Sequence, residues 1–145
     1  RGQWNLKDGK MVVESDRDCA SFTGHYYMKD AVIRTLLTPT EGSHHALVFR
    51  AKGTQRYYLV GFAGKGKVSL HLKDFGTTCL KTEAYEWELG QTYSFEVELR
   101  GEQITFSING KRILTYSDST WGHGMLGFAL AEPGACTFEK VEVRT

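Results

Sequence analysis

Residues 46–62 read ALVFRAKGTQRYYLVGF, two apolar runs around a short polar turn, and their alternation decides the fold class. Each run has the period-2 pattern of a half-buried strand. Leu47 and Phe49 fall on one face, Val48 and Arg50 on the other. A core built on the first pair therefore aims the Arg50 guanidinium away from it. An arginine among β-formers is costly to bury and is usually held by partners. Its planar fork of donors suits carboxylates, phosphates or vicinal sugar hydroxyls. It suits equally a structural ion pair with a carboxylate on a neighbouring strand.

The same pattern extends in both directions. GQWNLKDGKMVVES reads as strand, Asp8-Gly9 turn, strand, and the polar stretch from Ser15 to Gly24 as irregular. A long strand is expected from Tyr26 to Leu37, closed by Pro39 and a loop over Thr40 to His45. GKGK at Gly64 to Lys67 lacks phosphate-loop spacing and a following helix, and is a turn. VSLHLKD then puts Val68, Leu70 and Leu72 on one face and Ser69 and His71 on the other, and Thr78 to Ala84 is a weaker strand. The cleanest alternation is Tyr93, Phe95, Val97 and Leu99 inward against Glu96 and Glu98 outward. QITFSI follows, and Asn109-Gly110 folds it back on RILTY, the strongest turn signal in the chain. Asp118 to Gly124 is a loop carrying Trp121 and His123, and MLGFALA and TFEKVEVR close the chain as strands.

About a dozen short strands with regular turn signals, and no helical period, give an all-β fold of two packed antiparallel sheets. The 145 residues suffice for one domain with a real core, read as a single sandwich over 1–145 that is a module of something longer. Hydrophobic content of 41% and charged content of 24% are those of an ordinary globular domain, and aromatics are plentiful at 12%. A net charge of +1, from 18 basic against 17 acidic residues, gives no electrostatic reason to expect nucleic acid or an anionic membrane. No apolar run reaches the length of a membrane span. Cys19, Cys79 and Cys136 are too few and too scattered for a disulfide scaffold or zinc knuckle.

Candidate chemistry is thin. Glu96 and Glu98 share a strand face, a spacing open to a glycosidase's acid and base, but Arg100 continues that row and a solvated charged face explains it better. His44 and His45 have no third ligand at zinc spacing, and Ser21 and Ser119 lack a nucleophile's context. Asp16 and Asp18, with Glu14, have the oxygens for calcium, yet the interposed Arg17 favours a plain polar loop, and no cofactor is expected. Trp121 in its loop, and whichever of Tyr57 and Tyr58 leaves the core, offer flat rings of the kind sugars stack on.

Taken in order, ALVFR, YYLV, GKVSLHLKD, TYSFEVELRGEQITFSINGKRIL, SDSTWGHGMLGF and FEKVEVR resemble the family-66 carbohydrate-binding modules attached to bacterial fructan-degrading enzymes. They also resemble related concanavalin A-like domains of some glycoside hydrolases. The likeness runs from about Trp4 to the C-terminus. It implies a jelly-roll sandwich that binds the end of a sugar chain without cleaving it, carried by a hydrolase and favouring an extracellular setting. The resemblance places the ligand arginine at Arg50 and acidic partners at Glu83, Asp118 and Glu14. His71 is a further ligand candidate. Where relatives carry a tryptophan after the penultimate strand's glycine, FALAE puts Ala131, leaving Trp121 or Tyr58 to supply the stacking ring. On this reading Arg50→Ala abolishes sugar binding and leaves the fold intact. A disaccharide-cleaving enzyme on the same sandwich is the alternative, and a structural accessory domain of a glycohydrolase, with Trp87 or Trp121 buried only against its parent, is the third.

Overall fold

The structure is a computed structural model; it describes residues 28–130 and 134–145 in full and residues 3–7, 10–15 and 19–23 as backbone. The described residues form thirteen strands and no helix. They are β1 (Gln3–Lys7), β2 (Lys10–Ser15), β3 (Cys19–Thr23), β4 (Ala31–Glu41), β5 (His44–Gly53), β6 (Arg56–Ala63) and β7 (Lys67–Asp74). There follow β8 (Gly76–Ala84), β9 (Tyr93–Arg100), β10 (Gln103–Ile108), β11 (Lys111–Ser117), β12 (Met125–Leu130) and β13 (Gly134–Arg144). All pairings are antiparallel, in a seven-stranded sheet β1-β2-β13-β4-β9-β10-β11 and a six-stranded sheet β3-β12-β5-β6-β7-β8. The expected two-sheet sandwich is the fold.

Alternation sets what lies between the sheets. Leu47, Phe49, Tyr58, Val60, Phe62, Val68 and Leu70 from the six-stranded sheet meet Ile33, Leu37, Phe95, Val97, Leu99, Ile104, Phe106 and Phe138 from the other, all essentially buried. Phe62 is a hub: its ring stacks on Trp87 at 4.4 Å between centroids and meets Phe95 and Tyr93 edge-on at 5.1 and 5.0 Å. Such pairs each add about 1 kcal/mol beyond area burial. Trp87 is thus buried within the chain itself and donates its indole N–H to the Gly64 carbonyl, against the expectation that a parent domain would cover it.

The Asn109–Gly110 turn has φ of +52° and +79°, the mirror-image turn that its sequence demands. Two other expectations are corrected. The stretch read as irregular contains β3, a five-residue strand at the sheet edge, too short for alternation to register. Strand β4 does not stop at Pro39 but runs to Glu41, so the expected loop shrinks to Gly42 and Ser43. Pro39 is tolerated because it faces an irregularity in β13 on one side and lies beyond the end of the β9 ladder on the other, where its missing N–H breaks no bond. Glu96 and Glu98 are held by Arg34 at 2.6 Å and Arg100 at 2.8 Å on the outer face of the seven-stranded sheet, as a charged surface row would be.

Candidate functional site

Arg50 is where the structure departs most from alternation. The ladders on both sides of β5 shift register here, and Arg50 takes φ +51°, left-handed backbone that non-glycine residues rarely adopt. The bulge swings the side chain to one end of the sandwich. Its Nη1 donates to the Trp121 carbonyl and its Nη2 to the Lys29 carbonyl, both at 3.3 Å, with an Asp30 oxygen 3.7 Å away. The side chain is only 2% exposed, and Nε has no partner among the described residues. Burial pulls the guanidinium pKa down, opposed by the neighbouring Tyr58 and Asp30 oxygens. Gly124 locks the arrangement from above: a Cβ there would lie 2.4 Å from the Arg50 carbonyl carbon, and its N–H bonds the Met28 carbonyl at 3.0 Å.

Tyr58 and Asp118 belong to the same end. Tyr58 is fully buried, stacked on Phe49 at 5.3 Å, and its hydroxyl donates to Asp118 Oδ2 at 2.5 Å while accepting from the Trp121 N–H at 3.2 Å. Burial raises the Tyr58 pKa, and the hydrogen bond to Asp118 raises it further. Burial pushes Asp118 up, yet the bonds from Tyr58 and Thr120 outweigh it and hold the carboxylate below its ordinary value. The half-buried Trp121 donates its indole N–H to the Lys73 carbonyl and carries the Arg56 guanidinium 5.7 Å from its ring centre.

The structure therefore gathers Arg50, Tyr58, Asp118 and Trp121 as the sequence expects, but as an internal clasp. Arg50 is turned inward rather than away from the core, because the bulge breaks the alternation on which that expectation rested. Tyr58 cannot be the stacking ring, since it is inside. Glu83 is elsewhere: register sets it level with Val68, Phe62 and His45, five positions along β5 from Arg50, and its neighbour is Lys81 at 3.8 Å. The side chain of Glu14, and Asp16, Asp18 and Ala131, lie outside the described residues. Among the described residues no three His, Cys, Asp or Glu side chains gather as a metal site would require.

His71 stands in a different place, on the outer face of the six-stranded sheet. Register lines up Ala129, Ala46, Gly61, Ser69 and Thr82 across β12, β5, β6, β7 and β8. At about 4.8 Å per strand this row of small residues crosses roughly 19 Å of sheet. Gly61 is obligatory in it: at φ +159° a Cβ would lie 2.2 Å from the His45 carbonyl oxygen. Ser69 and Thr82 close the row with a 2.9 Å hydrogen bond. The next row, about 7 Å away, carries Leu59 and His71, and the one beyond it Tyr57, Lys73 and Thr77.

Low floor and taller flanks make a groove of about 450 Å³, lined also by His44, Thr54 and Gln55. Among the described residues, no aspartate or glutamate lines it. Burial lowers the His71 pKa, and the nearby His44 lowers it further, so at neutral pH the ring is an uncharged donor and acceptor. Sequence reasoning found Ser69 and His71 as an outward pair and Tyr57 as one of two candidate outward rings, but missed Leu59, Gly61 and Lys73 as companions. Only strand register brings these together.

No protein-family model and no curated protein sequence matches the chain. Solved structures do. The fold superposes on the carbohydrate-binding module CBM66 from Bacillus subtilis with a TM-score of 0.91 over 100% of this chain and 92% of that one, at 17% identity. A Bacillus subtilis protein of unknown function with a galectin-like fold matches at TM-score 0.79 and 16% identity, over 99% and 86% of the two chains. A glycosidic hydrolase matches at 0.70 and 14% identity, over 98% and 80%. The chain has the β-sandwich fold shared by a carbohydrate-binding module and galectin-like proteins.

Proposed function

We propose that this domain is a non-catalytic carbohydrate-binding module whose ligand lies in the groove on the outer face of the six-stranded sheet. The observation that carries the reading is the transverse row of small residues flanked by Tyr57, Leu59, His71 and Lys73. Sugars need an apolar surface for their C–H faces and neutral or cationic donors for their hydroxyls, and such a trough supplies both. Binding is favoured over hydrolysis because glycoside cleavage ordinarily requires two carboxylates flanking the bond, and the described lining residues include none. The likeness to a carbohydrate-binding module supports the same choice.

Recognition of a chain end through Arg50 would require that side chain to abandon the Trp121 and Lys29 carbonyls, whereas the groove needs no rearrangement. In this reading the terminal sugar is held at one end of the groove, and the module serves a hydrolase by keeping it on its polymer. The test is a glycan array on the isolated domain, with calorimetry of the best binder on wild type and His71→Ala. Loss of one or two neutral hydrogen bonds predicts roughly tenfold weaker binding for the variant. A blank array, or undiminished affinity in His71→Ala together with release of reducing sugar, would reject the reading.

A further inference from the structure

Phe75, at the tip of the β7–β8 hairpin, is the most exposed large apolar side chain among the described residues, at 70%. A single exposed phenylalanine is unremarkable by itself. Its backbone is not: φ is +66°, a region where an aromatic residue is strained. The β10–β11 turn meets the same demand with residues suited to it, Asn109 and Gly110. The other two described non-glycine residues at positive φ, Arg50 and Lys140, sit at register shifts within strands rather than in a hairpin turn. Glycine is even at hand, since Gly76 follows directly and has no atom within 4 Å of where a Cβ would stand. Phe75 belongs to neither buried cluster, so packing does not account for it.

Its position does offer an account. The Phe75 N–H donates to the Gln55 carbonyl at 2.8 Å, and Gln55, Lys73 and Thr77, which bracket it, all line the groove. We propose that Phe75 is a specificity-determining platform at the open end of the groove, taking the apolar C–H face of the sugar unit that leaves it. This inference rests on the groove being a glycan site. The strain is retained because the position needs a flat apolar ring, which neither asparagine nor glycine provides, standing free of the core where a ligand reaches it.

The experiment compares wild type, Phe75→Asn and Phe75→Tyr by calorimetry. The probes are neutral fructan, galactan, xylan and β-glucan oligosaccharides, disaccharide to hexasaccharide. Phe75→Asn relieves the strained backbone and should melt at or above the wild-type temperature. It should bind the shortest active ligand like wild type and the longest about fivefold more weakly, while Phe75→Tyr retains both affinities. Unchanged affinity of Phe75→Asn at every length would overturn the role of Phe75 and leave the groove standing. Equal loss at every length would overturn it too, since that marks distortion of the groove. If wild type binds none of these probes, this inference falls, and a blank array takes the groove reading with it.

Discussion

Replacing Arg50 by alanine should destabilise the domain, and the size of the effect follows from what the side chain touches. Its stem is buried to 2% exposure, and the two methylenes lost beyond Cβ, at about 0.8 kcal/mol each, forfeit about 1.6 kcal/mol before any cavity cost. Two loop carbonyls, of Lys29 and Trp121, lose their donors; at 3.3 Å these bonds are long, so about 1 kcal/mol each is reasonable. Against this, a buried cation whose Nε is unpartnered costs about 1–2 kcal/mol to keep, and its removal returns that sum. Asp30 is 57% exposed and stays solvated, so no stranded charge adds to the penalty. The net loss is about 2 kcal/mol, or a melting temperature lower by about 7 °C for a domain of this size. Arg50→Met keeps the stem and drops the charge, and should lose no more than about 1 kcal/mol. Urea denaturation followed by tryptophan fluorescence measures both. If Arg50→Ala unfolds at the wild-type urea midpoint, the clasp is not structural. If it also abolishes glycan binding, Arg50 faces sugar after all.

Three further outcomes follow from the same geometry. Asp118 is held below its ordinary pKa, so its contribution is complete above about pH 4, the unfolded value, and fades as pH drops through the folded one. Asp118→Asn should flatten the acid limb of a stability–pH profile and leave the neutral region parallel to wild type. His45, buried and bonded to the Glu41 carbonyl at 2.8 Å, is pulled down chiefly by burial. Its contribution is present above about pH 6.5 and is lost as pH falls towards its folded value, so His45→Gln should reduce the drop in urea midpoint between pH 7.5 and 5.5. Gly61→Ala forces a Cβ to within 2.2 Å of a backbone oxygen, and circular dichroism should find the variant unfolded or melting far below wild type.

The sandwich was legible because period-2 alternation runs through β5 as far as Phe49 and through β6, β7, β9 and β10, and because Asn109-Gly110 announces its own turn. The short edge strand β3 escaped because Cys19 to Thr23 offers too few residues to alternate, and Pro39 misled because its missing donor only matters where a partner strand needs it. At the site, residue types were read better than their placement. Arg50, Tyr58, Asp118 and Trp121 do meet, yet a bulge reverses where the arginine points, and no local pattern encodes that bulge. Resemblance names Glu83 as a partner, and register puts it near the far end of β8. The row Ala46, Gly61, Ser69 is invisible in sequence because its members lie on three strands, each an unassuming small residue by itself.

Where the ligand sits is the point on which the account turns, and amide chemical-shift mapping of a ¹⁵N-labelled domain titrated with the best glycan from the array tests it most directly. Saturable shifts are expected at Tyr57, Leu59, Gly61, Ser69 and His71, with Phe75 joining for longer chains. Shifts confined to Lys29, Asp30 and the 118–124 loop around Arg50, with the groove silent, would contradict it.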